Sequence, residues 1–411
     1  MGGDGGDPGQ PGATAKLERL NAAQWRRRLG VAAVIDALGA GEGLTRYVGG
    51  AIRDELLGLP VNDIDLATKI RPDEVIERLK NAQLKAVPTG IEHGTVTAVS
   101  SGQPFEVTSL RRDVSTDGRR AIIEYTDDWR EDAARRDFTI NALMADPVTG
   151  EIFDYFGGLD DLAARRVRFI GNPLQRIAED HLRILRFFRF HARFGRGPPD
   201  PSALKACGER ANDLMALSRE RIADELMKLL AVEDPAATVQ LMVGHSILKP
   251  VLPEIQMEAL RQLEQLIAAE KSAGIEGDPL RRLAALIPDD ADLAERLAVR
   301  LKLSKLARKR LACAAERSLG SNSQTLAYRF GTECAVDRLL LAGKPEEAAS
   351  VFQWSIPRLP IGGGALIERG VPQGPEVART LRLIEDRWAE AGFPTGEGFE
   401  QLVQTVIDSR R

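Results

Sequence analysis

The sequence has few cysteines, few aromatic residues and no long apolar run, and these shortages narrow what the protein can be. Its three cysteines (Cys207, Cys313 and Cys334) are widely spaced and form no CxxC pair. This argues against a disulfide framework or a thiolate zinc site and fits a reducing compartment. No segment approaches the roughly 18 apolar residues of a membrane span, and the N-terminus lacks the apolar core of a signal peptide. We therefore expect a cytoplasmic protein that binds no membrane.

The chain also lacks a strong excess of either charge. Its 56 Lys and Arg residues stand against 60 Asp and Glu residues, which gives a net charge of -4. The whole-chain charge therefore does not attract nucleic acid, and any RNA binding depends on local basic surface. At 411 residues the chain is too long for one ordinary core, so several domains are expected.

The residue pattern changes twice along the chain. Residues 1–16 are rich in Gly and Pro and predict a disordered tail. Residues 17–150 mix short strands with helices, whereas later residues show helical periodicity throughout. Two stretches, WREDAARRDFTINALMAD and AEDHLRILRFFRFHARFG, each read as one continuous helix, and a loop or hairpin is expected around Asp117-Gly118. The fold class is α+β: a small mixed sheet with helices, followed by an all-helical remainder.

The stretch NDIDLAT contains two aspartates in a predicted strand. Alternate strand residues point to one face, so Asp63 and Asp65 aim together while Ile64 and Leu66 aim at the core. Two carboxylates held this close repel each other unless a cation lies between them, and magnesium is suited to oxygen ligands beside phosphates. A DxD also occurs in solvated turns, and glycosyltransferases use one for sugar nucleotides.

Two glycines precede this pair. Gly49 and Gly50 end a strand and begin a helix, where a backbone without side chains lets a phosphate approach free N–H groups. Arg53, one turn into the helix, adds a charge-assisted contact. Taken alone, a Gly-Gly pair is often only a tight turn.

Two further stretches supply polar candidates. Glu106 points to the opposite face of its predicted strand from Phe105 and Val107 and is a candidate third carboxylate, although a polar residue on an exposed sheet face has the same pattern. In RRDFTINALMAD, Asp137 and Asn141 are four residues apart, so a helix places them on one face behind Arg136. A guanidinium, a carboxylate and an amide on one face suit ribose hydroxyls and phosphate. From this stretch alone, however, the favoured interpretation is a capped surface helix exposed to solvent.

The stretch EDHLRILRFFRF predicts a base-reading helix. Asp180 and Arg183 lie three residues apart, which sets a hydrogen-bond acceptor beside a donor fork on one face. Cytosine and adenine each offer an amino donor next to a ring-nitrogen acceptor, whereas uracil and guanine place a carbonyl opposite the carboxylate. Such a site accepts C and A and rejects U and G. An ordinary ion pair has the same spacing, but further arginines on that face, at 186 and 189, exceed the available carboxylates.

These motifs resemble those of one family. GGAIRD, NDIDLAT, FEVTSLR, RRDFTINALMAD, GGLDDL and EDHLRILRFFRF occur in the order and spacing of class II tRNA nucleotidyltransferases, the CCA-adding enzymes, which are related to bacterial poly(A) polymerases. The resemblance covers residues 44–194 and extends weakly beyond them. It implies a polymerase-beta-like catalytic head at 17–150, a helical neck for nucleotide selection at 151–215, a body at 216–310 and a tRNA-binding tail at 311–411.

The resemblance also implies roles for individual residues. Asp63 and Asp65 would bind Mg²⁺, and Gly50 and Arg53 would contact the triphosphate. Arg136 would contact the nucleotide. The base-edge readers would be Asp180 and Arg183, supported by Arg186 and Arg189. Asp137 and Glu106 are the candidates for a third catalytic acid, because relatives differ at that position.

The implied function is addition of C, C and A from CTP and ATP to the 3′ end of tRNA, which binds through its 3′ end and acceptor/T arm. A poly(A) polymerase shares the same head motifs but usually carries a basic C-terminal extension; this chain ends in QLVQTVIDSRR, so CCA addition is favoured. A non-catalytic RNA-binding protein is the other alternative. The polar segment from Arg111 to Trp129 matches the family's flexible loop and favours full CCA activity.

Overall fold

The N-terminal half of the chain forms a mixed seven-stranded sheet. The structure, a computed structural model, describes residues 20, 23–116, 121–320 and 322–409. The strands are β1 (Thr45–Val48), β2 (Asp65–Thr68), β3 (Lys85–Gly90), β4 (Thr95–Ser100), β5 (Gln103–Ser109), β6 (Arg111–Thr116), β7 (Ala121–Tyr125), β8 (Met144–Ala145) and β9 (Ile152–Phe153). The large sheet has the order β3-β4-β5-β2-β1-β8-β9, and β6 and β7 form a separate two-stranded sheet.

Strand alternation places the core of this sheet. In β5 the side chains of Phe105 and Val107 are buried while Glu106 is exposed, and in β4 Val96 and Ala98 are fully buried. β2 and β5 pair in parallel, whereas β1 pairs with β2 in the antiparallel sense. Because β2 lies between β1 and β5, residues at the start of β2 have neighbours from both strands.

Helices flank this sheet and continue beyond it: α1 (Val31–Ala37), α2 (Gly50–Leu56), α3 (Pro72–Asn81), α4 (Trp129–Ala134), α5 (Gly158–Ala163), α6 (Pro173–Glu179), α7 (Arg183–Phe194) and α8 (Pro201–Glu209). Helix α3 begins at Pro72, and proline suits the first helical position because no N–H partner is needed there. Asn172 caps α6 by accepting hydrogen bonds from the backbone N–H groups of Leu174 and Gln175.

Three local predictions in this half were wrong. Strand β2 starts at Asp65, so Asp63 lies in the preceding loop rather than in the strand. The stretch after α4 is not a continuous helix, because only Thr139–Asn141 forms a short 3-10 turn before β8. The EDHLR stretch is also broken, since α6 ends at Glu179 and α7 begins at Arg183.

The hairpin expected around Asp117-Gly118 corresponds to β6 and β7, which pair in antiparallel register from Arg111↔Tyr125 to Thr116↔Ala121. The turn residues themselves, and the predicted tail at 1–16, lie outside the described residues.

The C-terminal half is helical in the described residues. It contains α9 (Arg219–Leu230), α10 (Ala236–Gly244), α11 (Ala259–Ala273), α12 (Pro279–Ala285), α13 (Ala291–Arg300), α14 (Lys305–Ala315), α15 (Ser323–Phe330), α16 (Thr332–Leu341), α17 (Pro345–Gln353), α18 (Gly363–Glu368), α19 (Pro375–Glu390) and α20 (Gly396–Asp408). The chain divides into two compact units, Met1–Ala216 and Leu217–Arg411. The finer division into body and tail stays a prediction.

A disulfide in the C-terminal unit corrects one expectation. Cys313 of α14 and Cys334 of α16 are bonded, with their Cα atoms 6.0 Å apart, while Cys207 is free and buried. The sequence spacing concealed this pair because packing of two helices, rather than proximity in sequence, brings the cysteines together. None of the helices in the described ranges combines the length and the apolar character that a membrane span requires.

A buried ion network holds the helices of the C-terminal unit together. Asp337 is fully buried and accepts hydrogen bonds from Arg281 Nε at 2.8 Å and from Arg310 Nε at 2.8 Å. Glu270, also buried, accepts from Arg281 Nη1 at 2.7 Å and Arg282 Nε at 3.0 Å. The network thereby joins α11, α12, α14 and α16.

Replacing Asp337 with alanine should destabilise this unit strongly. The change leaves two arginines without their shared carboxylate, and removing one member of a buried pair typically costs about 3 to 5 kcal/mol. The midpoint of urea unfolding, followed by circular dichroism, measures the loss. Asp386→Ala is the control, because that carboxylate is 63% exposed and its ion pair with Arg329 is at 3.4 Å. A loss for Asp337→Ala no greater than for the control would contradict the network's role.

Candidate active site

The start of β2 brings acidic side chains together. Asp65 lies opposite Glu106 in the parallel β2–β5 register, and opposite Val48 in the antiparallel β1–β2 register. Partners in register point to the same face of a sheet, so the carboxylates of Asp65 and Glu106 are neighbours. Asp63 is exposed in the loop just before the strand, while Ile64 and Leu66 are buried as expected.

The proton affinity of Asp65 reflects this crowding. Burial, the largest effect, raises the pKa of the Asp65 carboxyl to about 6. The carboxylates of Glu106 and Asp63 also raise this pKa, whereas the Arg136 guanidinium lowers it. The site therefore holds negative charge that the protein alone does not fully compensate. A bound cation would relieve the repulsion, which is the pattern expected of a metal site.

Gly49 closes β1 beside Asp65 and allows an arginine to approach. Its φ of 70° and ψ of -120° are accessible to glycine, and a Cβ built there would lie 3.2 Å from Arg136 Nη1. Since Val48 is the register partner of Asp65, this glycine turn and the Arg136 guanidinium lie at the acidic end of β2. The next residue, Gly50, begins α2.

A chain of hydrogen bonds runs from α2 to α7 through the predicted nucleotide residues. Arg53 Nη1 donates to Asn141 Oδ1 at 2.6 Å, and Asn141 Nδ2 donates to Asp137 Oδ1 at 3.0 Å. Asp137 Oδ2 then accepts from Arg186 Nε at 2.8 Å and forms an ion pair with Arg186 Nη2 at 2.6 Å. The predicted contact between Asp137 and Asn141 is thus present, although a 3-10 turn rather than an α-helix creates it.

Within this series of hydrogen bonds, the negative charge of Asp137 is balanced by the guanidinium of Arg186. Burial opposes ionisation of Asp137, but Arg186, with hydrogen bonds from Asn141 and the Phe138 N–H, holds the pKa of Asp137 below its usual range. Asp137 is therefore an anion whose oxygens are already engaged. Burial lowers the pKa of Arg53 and of Arg136, against the opposing effects of Asp54 and Asp132 respectively.

The break between α6 and α7 changes how Asp180 and Arg183 meet. Asp180 has extended φ and ψ of -153° and 108°, and its Oδ1 accepts a hydrogen bond from the Leu182 N–H at 3.1 Å. A single backbone turn separates Arg183 from Asp180, since the Arg183 N–H donates to the Asp180 carbonyl at 3.0 Å. The Arg183 side chain donates to Glu179, to the Arg176 carbonyl and to the Arg135 carbonyl. The proposed acceptor and donor therefore sit at the entrance of α7.

A cavity of about 400 Å³ joins the acidic strand end to this helix entrance. Its volume lies within the range of small-molecule sites. The residues that line it are Gly49, Gly50, Arg53, Asp65, Arg135, Arg136, Asp137, Asn141, Asp180, Arg183, Arg186 and Phe190. Ten residues predicted from the sequence thus meet at one cavity.

Three predicted residues stay outside the lining of this cavity, as far as the described residues show. Asp63 and Glu106 act on Asp65 from the strand end. Arg189 of α7 instead places its guanidinium 4.5 Å from the centre of the Phe190 ring. Their roles at the site remain predictions.

Three residues at or beside the cavity were not predicted from the sequence as site residues: Arg135, Asp132 and Phe190. Asp132 is buried and accepts from Arg135 Nε at 2.8 Å and Arg136 Nη2 at 3.4 Å, which fixes both arginines at the cavity. Phe190 lies 5.3 Å from the guanidinium carbons of both Arg53 and Arg186. The Asp132 contacts were readable as i,i+3 and i,i+4 spacings within WREDAARR, whereas the Phe190 contacts depend on packing between distant segments.

The donor set fits a divalent metal ion that also binds phosphate. Among the described residues, no three His, Cys, Asp or Glu side chains form a group able to hold a metal by themselves. Magnesium is commonly held by one or two carboxylates together with substrate phosphates. Asp65 with its acidic neighbours supplies hard oxygen ligands of that kind, and the cavity leaves space for the phosphates.

Two family models match the chain. Residues 45–168 match the poly A polymerase head domain, and residues 199–258 match a probable RNA and SrmB-binding site of polymerase A. The first match spans the large sheet together with the glycine, aspartate and RRD motifs.

Curated relatives extend the similarity over most of the chain. The human mitochondrial CCA tRNA nucleotidyltransferase 1 is 35% identical over 376 residues, which cover 85% of this chain and 83% of that protein. A CCA-adding enzyme of Lactococcus lactis is 39% identical over 222 residues, covering 53% of this chain and 54% of the enzyme.

Solved structures share the architecture. The CCA-adding enzyme of Bacillus stearothermophilus in complex with CTP is 26% identical, with a TM-score of 0.72 over 92% of this chain and 97% of that one. The Thermotoga maritima CCA-adding enzyme complexed with tRNA is 20% identical, with a TM-score of 0.69 over 97% and 98% of the two chains, and supports the fold alone. The predicted fold class, a polymerase-beta-like head followed by helical domains, is confirmed.

Proposed function

The chain belongs to the CCA tRNA nucleotidyltransferase family, and we propose that its cavity adds C, C and A from CTP and ATP to the 3′ end of tRNA. The protein is a nucleotidyltransferase, and members of this family depend on a divalent metal ion. One observation carries the proposal: Asp65 and the Asp180–Arg183 pair line the same cavity. A nucleotide held there has its phosphates near the acidic strand end and its base near the start of α7.

The metal is proposed to be Mg²⁺ held by Asp63 and Asp65. The raised pKa of Asp65, caused by burial and by the carboxylates of Glu106 and Asp63, supports a cation at this point. In the two-metal scheme of nucleotidyl transfer, one Mg²⁺ held by Asp63 and Asp65 would lower the pKa of the attacking hydroxyl, and a second would stabilise charge on the leaving group. Glu106 or Asp137 is proposed as the third acid. Asp137 already accepts hydrogen bonds from Asn141 and Arg186, which favours Glu106 as the acid that acts near the metal.

The triphosphate is proposed to lie along the glycine turn and its arginines. Gly49 and Gly50 leave the backbone accessible, and Arg53 and Arg136 supply guanidinium donors next to it. The 3′ hydroxyl of tRNA attacks the α-phosphorus of the bound nucleotide, the bond to the β-phosphate oxygen breaks, and pyrophosphate leaves. The reaction forms no covalent intermediate with a side chain, and these fixed donors contribute by holding the triphosphate in position for attack.

Base selection is proposed to lie at the entrance of α7. Asp180 accepts from the amino group of cytosine or adenine, and Arg183 donates to the adjacent ring nitrogen. The carbonyl groups of Arg176 and Arg135 hold the Arg183 guanidinium in place. Arg186 and Arg189 are proposed to support this pair from the next turns of α7. No nucleic-acid template is needed, since protein groups read the base edge.

The wider organisation remains part of the proposal. A neck at 151–215, a body at 216–310 and a tail at 311–411 are proposed to hold the acceptor and T arms of tRNA. Arginine contacts to its phosphates predict binding that weakens steeply with salt. The cytoplasmic location is likewise a proposal; among the relatives, the human protein is named as mitochondrial.

Product analysis tests the function against its rival. The family-model matches carry the name of poly(A) polymerases, so a poly(A) activity is the second candidate. The protein is incubated with magnesium, all four nucleoside triphosphates and tRNA lacking its 3′ CCA, and the 3′ ends are sequenced. We expect addition to stop after C, C and A. A long tract of A would establish the rival, and no incorporation would favour a non-catalytic RNA-binding protein.

A further inference from the structure

Two phenylalanines of α7 pack against the arginine of α2. Phe190 and Phe194 are four residues apart, so they lie on one side of the helix, and their ring centres are 5.6 Å apart. The guanidinium carbon of Arg53 lies 4.1 Å from the centre of the Phe194 ring and 5.3 Å from that of Phe190. Both distances are within the range of a cation–π interaction, in which the face of a ring attracts a positive charge. The contacts therefore join α2, which follows the glycine turn, to α7.

The polar contacts of Arg53 fix the edge of its guanidinium but not its face. Nε and Nη2 both meet the same oxygen, Oδ1 of Asp54, at 2.8 Å and 2.7 Å, and Nη1 donates to Asn141 Oδ1 at 2.6 Å. The N–H groups of a guanidinium lie in its plane, so these partners contact its edge. Because Asp54 offers one shared oxygen, its contacts alone allow the guanidinium to pivot. The ring of Phe194 restrains movement out of the plane.

The position of this guanidinium matters because Arg53 lines the nucleotide cavity. A Cβ built at Gly50 would lie 3.6 Å from Arg53 Nη2, so the guanidinium lies directly beside the glycine turn. Nη1 and Nη2 each carry a second N–H group that can be directed into the cavity. Phe190 also lines the cavity, whereas Phe194 is 3% exposed and lies one turn farther along α7. Phe194 can therefore influence a bound nucleotide only through its neighbours.

The surroundings of Arg53 disfavour its positive charge. Burial lowers the pKa of Arg53, and the guanidinium of Arg193 lowers it as well, whereas Asp54 raises it. Arg193 itself lies 5.0 Å from the centre of the Phe194 ring. The face of an aromatic ring is negative at its centre although the ring has no net charge. Phe194 therefore stabilises these cations without adding a carboxylate that would repel a phosphate.

We propose that Phe194 is a positioning residue, whose ring holds the Arg53 guanidinium beside the glycine turn so that its remaining N–H groups meet the triphosphate. Phe190 supports the same guanidinium from the preceding turn of α7. The inference rests on the proposed contact between Arg53 and the triphosphate. Because the guanidinium is ordered before the nucleotide arrives, binding does not have to fix it, and affinity is gained through this preorganisation.

The affinity for CTP, measured by equilibrium dialysis of the full-length protein with magnesium and without tRNA, tests the inference. Phe194→Leu keeps an apolar side chain but removes the ring, and we expect the Kd for CTP to rise at least about fivefold because a desolvated cation–π interaction is lost. In an Arg53→Gln protein, Phe194→Leu should cause no further loss, since Phe194 acts through Arg53. Phe188→Leu, the same change at a fully buried position on another side of α7, is the matched control and should leave the Kd unchanged.

A fluorinated ring covers the case in which Phe194→Leu loosens the core. A trifluorinated phenylalanine in place of Phe194 keeps nearly the same shape but weakens the negative charge of the ring face. We expect an unchanged thermal unfolding midpoint and a Kd for CTP that rises at least about threefold.

Two results would overturn this inference alone, provided that Arg53→Gln weakens CTP binding. In one, the fluorinated protein binds CTP as tightly as the unmodified protein does. In the other, Phe194→Leu weakens binding to the same extent with Arg53→Gln as without it. If Arg53→Gln itself left the affinity for CTP unchanged, the proposed triphosphate contact would be wrong, and this inference with it.

Discussion

Replacing Asp65 with asparagine should reduce nucleotide incorporation by roughly 10³-fold or more, since loss of metal-assisted charge stabilisation removes several kcal/mol from the transition state. Asparagine has nearly the same shape as aspartate but no negative charge, so it is a poor ligand for Mg²⁺. Affinity for tRNA should change little, because phosphate contacts elsewhere dominate binding. Single-turnover incorporation of CTP and filter binding of tRNA measure the two quantities separately.

The same substitution should not destabilise the fold. Burial and the neighbouring carboxylates of Glu106 and Asp63 raise the pKa of Asp65, so its ionised form is disfavoured in the folded, metal-free protein. A neutral amide removes that repulsion, and the free energy of unfolding without metal should stay equal or increase. Glu77→Gln, an exposed carboxylate of α3, is the control and should leave activity intact. A fully active Asp65→Asn protein would show that the metal site lies elsewhere.

Replacing Asp180 with asparagine should relax the choice of nucleotide. The carboxylate only accepts hydrogen bonds, whereas the amide also donates and can therefore face the carbonyl of uracil or guanine. Discrimination for CTP and ATP over UTP and GTP should fall by about 10²-fold or more, since sites that reject a base by leaving polar groups unpaired reach larger factors still. Competition between labelled nucleotides gives the ratio of kcat/KM values directly.

The design of this variant limits its side effects. The asparagine side-chain oxygen can still accept the hydrogen bond that Asp180 Oδ1 takes from the Leu182 N–H, so the entrance of α7 should keep its geometry. Glu209→Gln, an exposed carboxylate of α8, is the matched control and should leave selection unchanged. If the Asp180→Asn protein lost CTP and UTP incorporation in equal proportion, Asp180 would have a structural role instead of reading the base.

Local patterns predicted the parts of the site that depend on neighbouring residues or on strand alternation. The exposure of Glu106 between buried Phe105 and Val107 follows from alternation, and its pairing with Asp65 required only that the two strands be adjacent. The contact between Asp137 and Asn141 was also recovered, because residues four apart meet in several helical conformations.

Features set by longer-range packing were missed. The helix break at Asp180 has no glycine or proline to mark it, so periodicity alone extended the helix through EDHLR. Arg183 is instead held by Glu179 and by the Arg135 carbonyl, 48 residues earlier in the chain. The Cys313–Cys334 bond likewise depends on how α14 and α16 pack. Such contacts arise from tertiary structure, which residue spacing does not encode.

The most direct test of the account is a crystal structure with Mn²⁺ in place of magnesium and a non-hydrolysable CTP analogue. We predict an anomalous peak within roughly 2.5 Å of carboxylate oxygens of Asp63 and Asp65 and of a phosphate oxygen of the analogue. The amino edge of its cytosine should contact Asp180 and Arg183. A manganese peak away from both aspartates, or a cytosine bound away from the start of α7, would contradict the account.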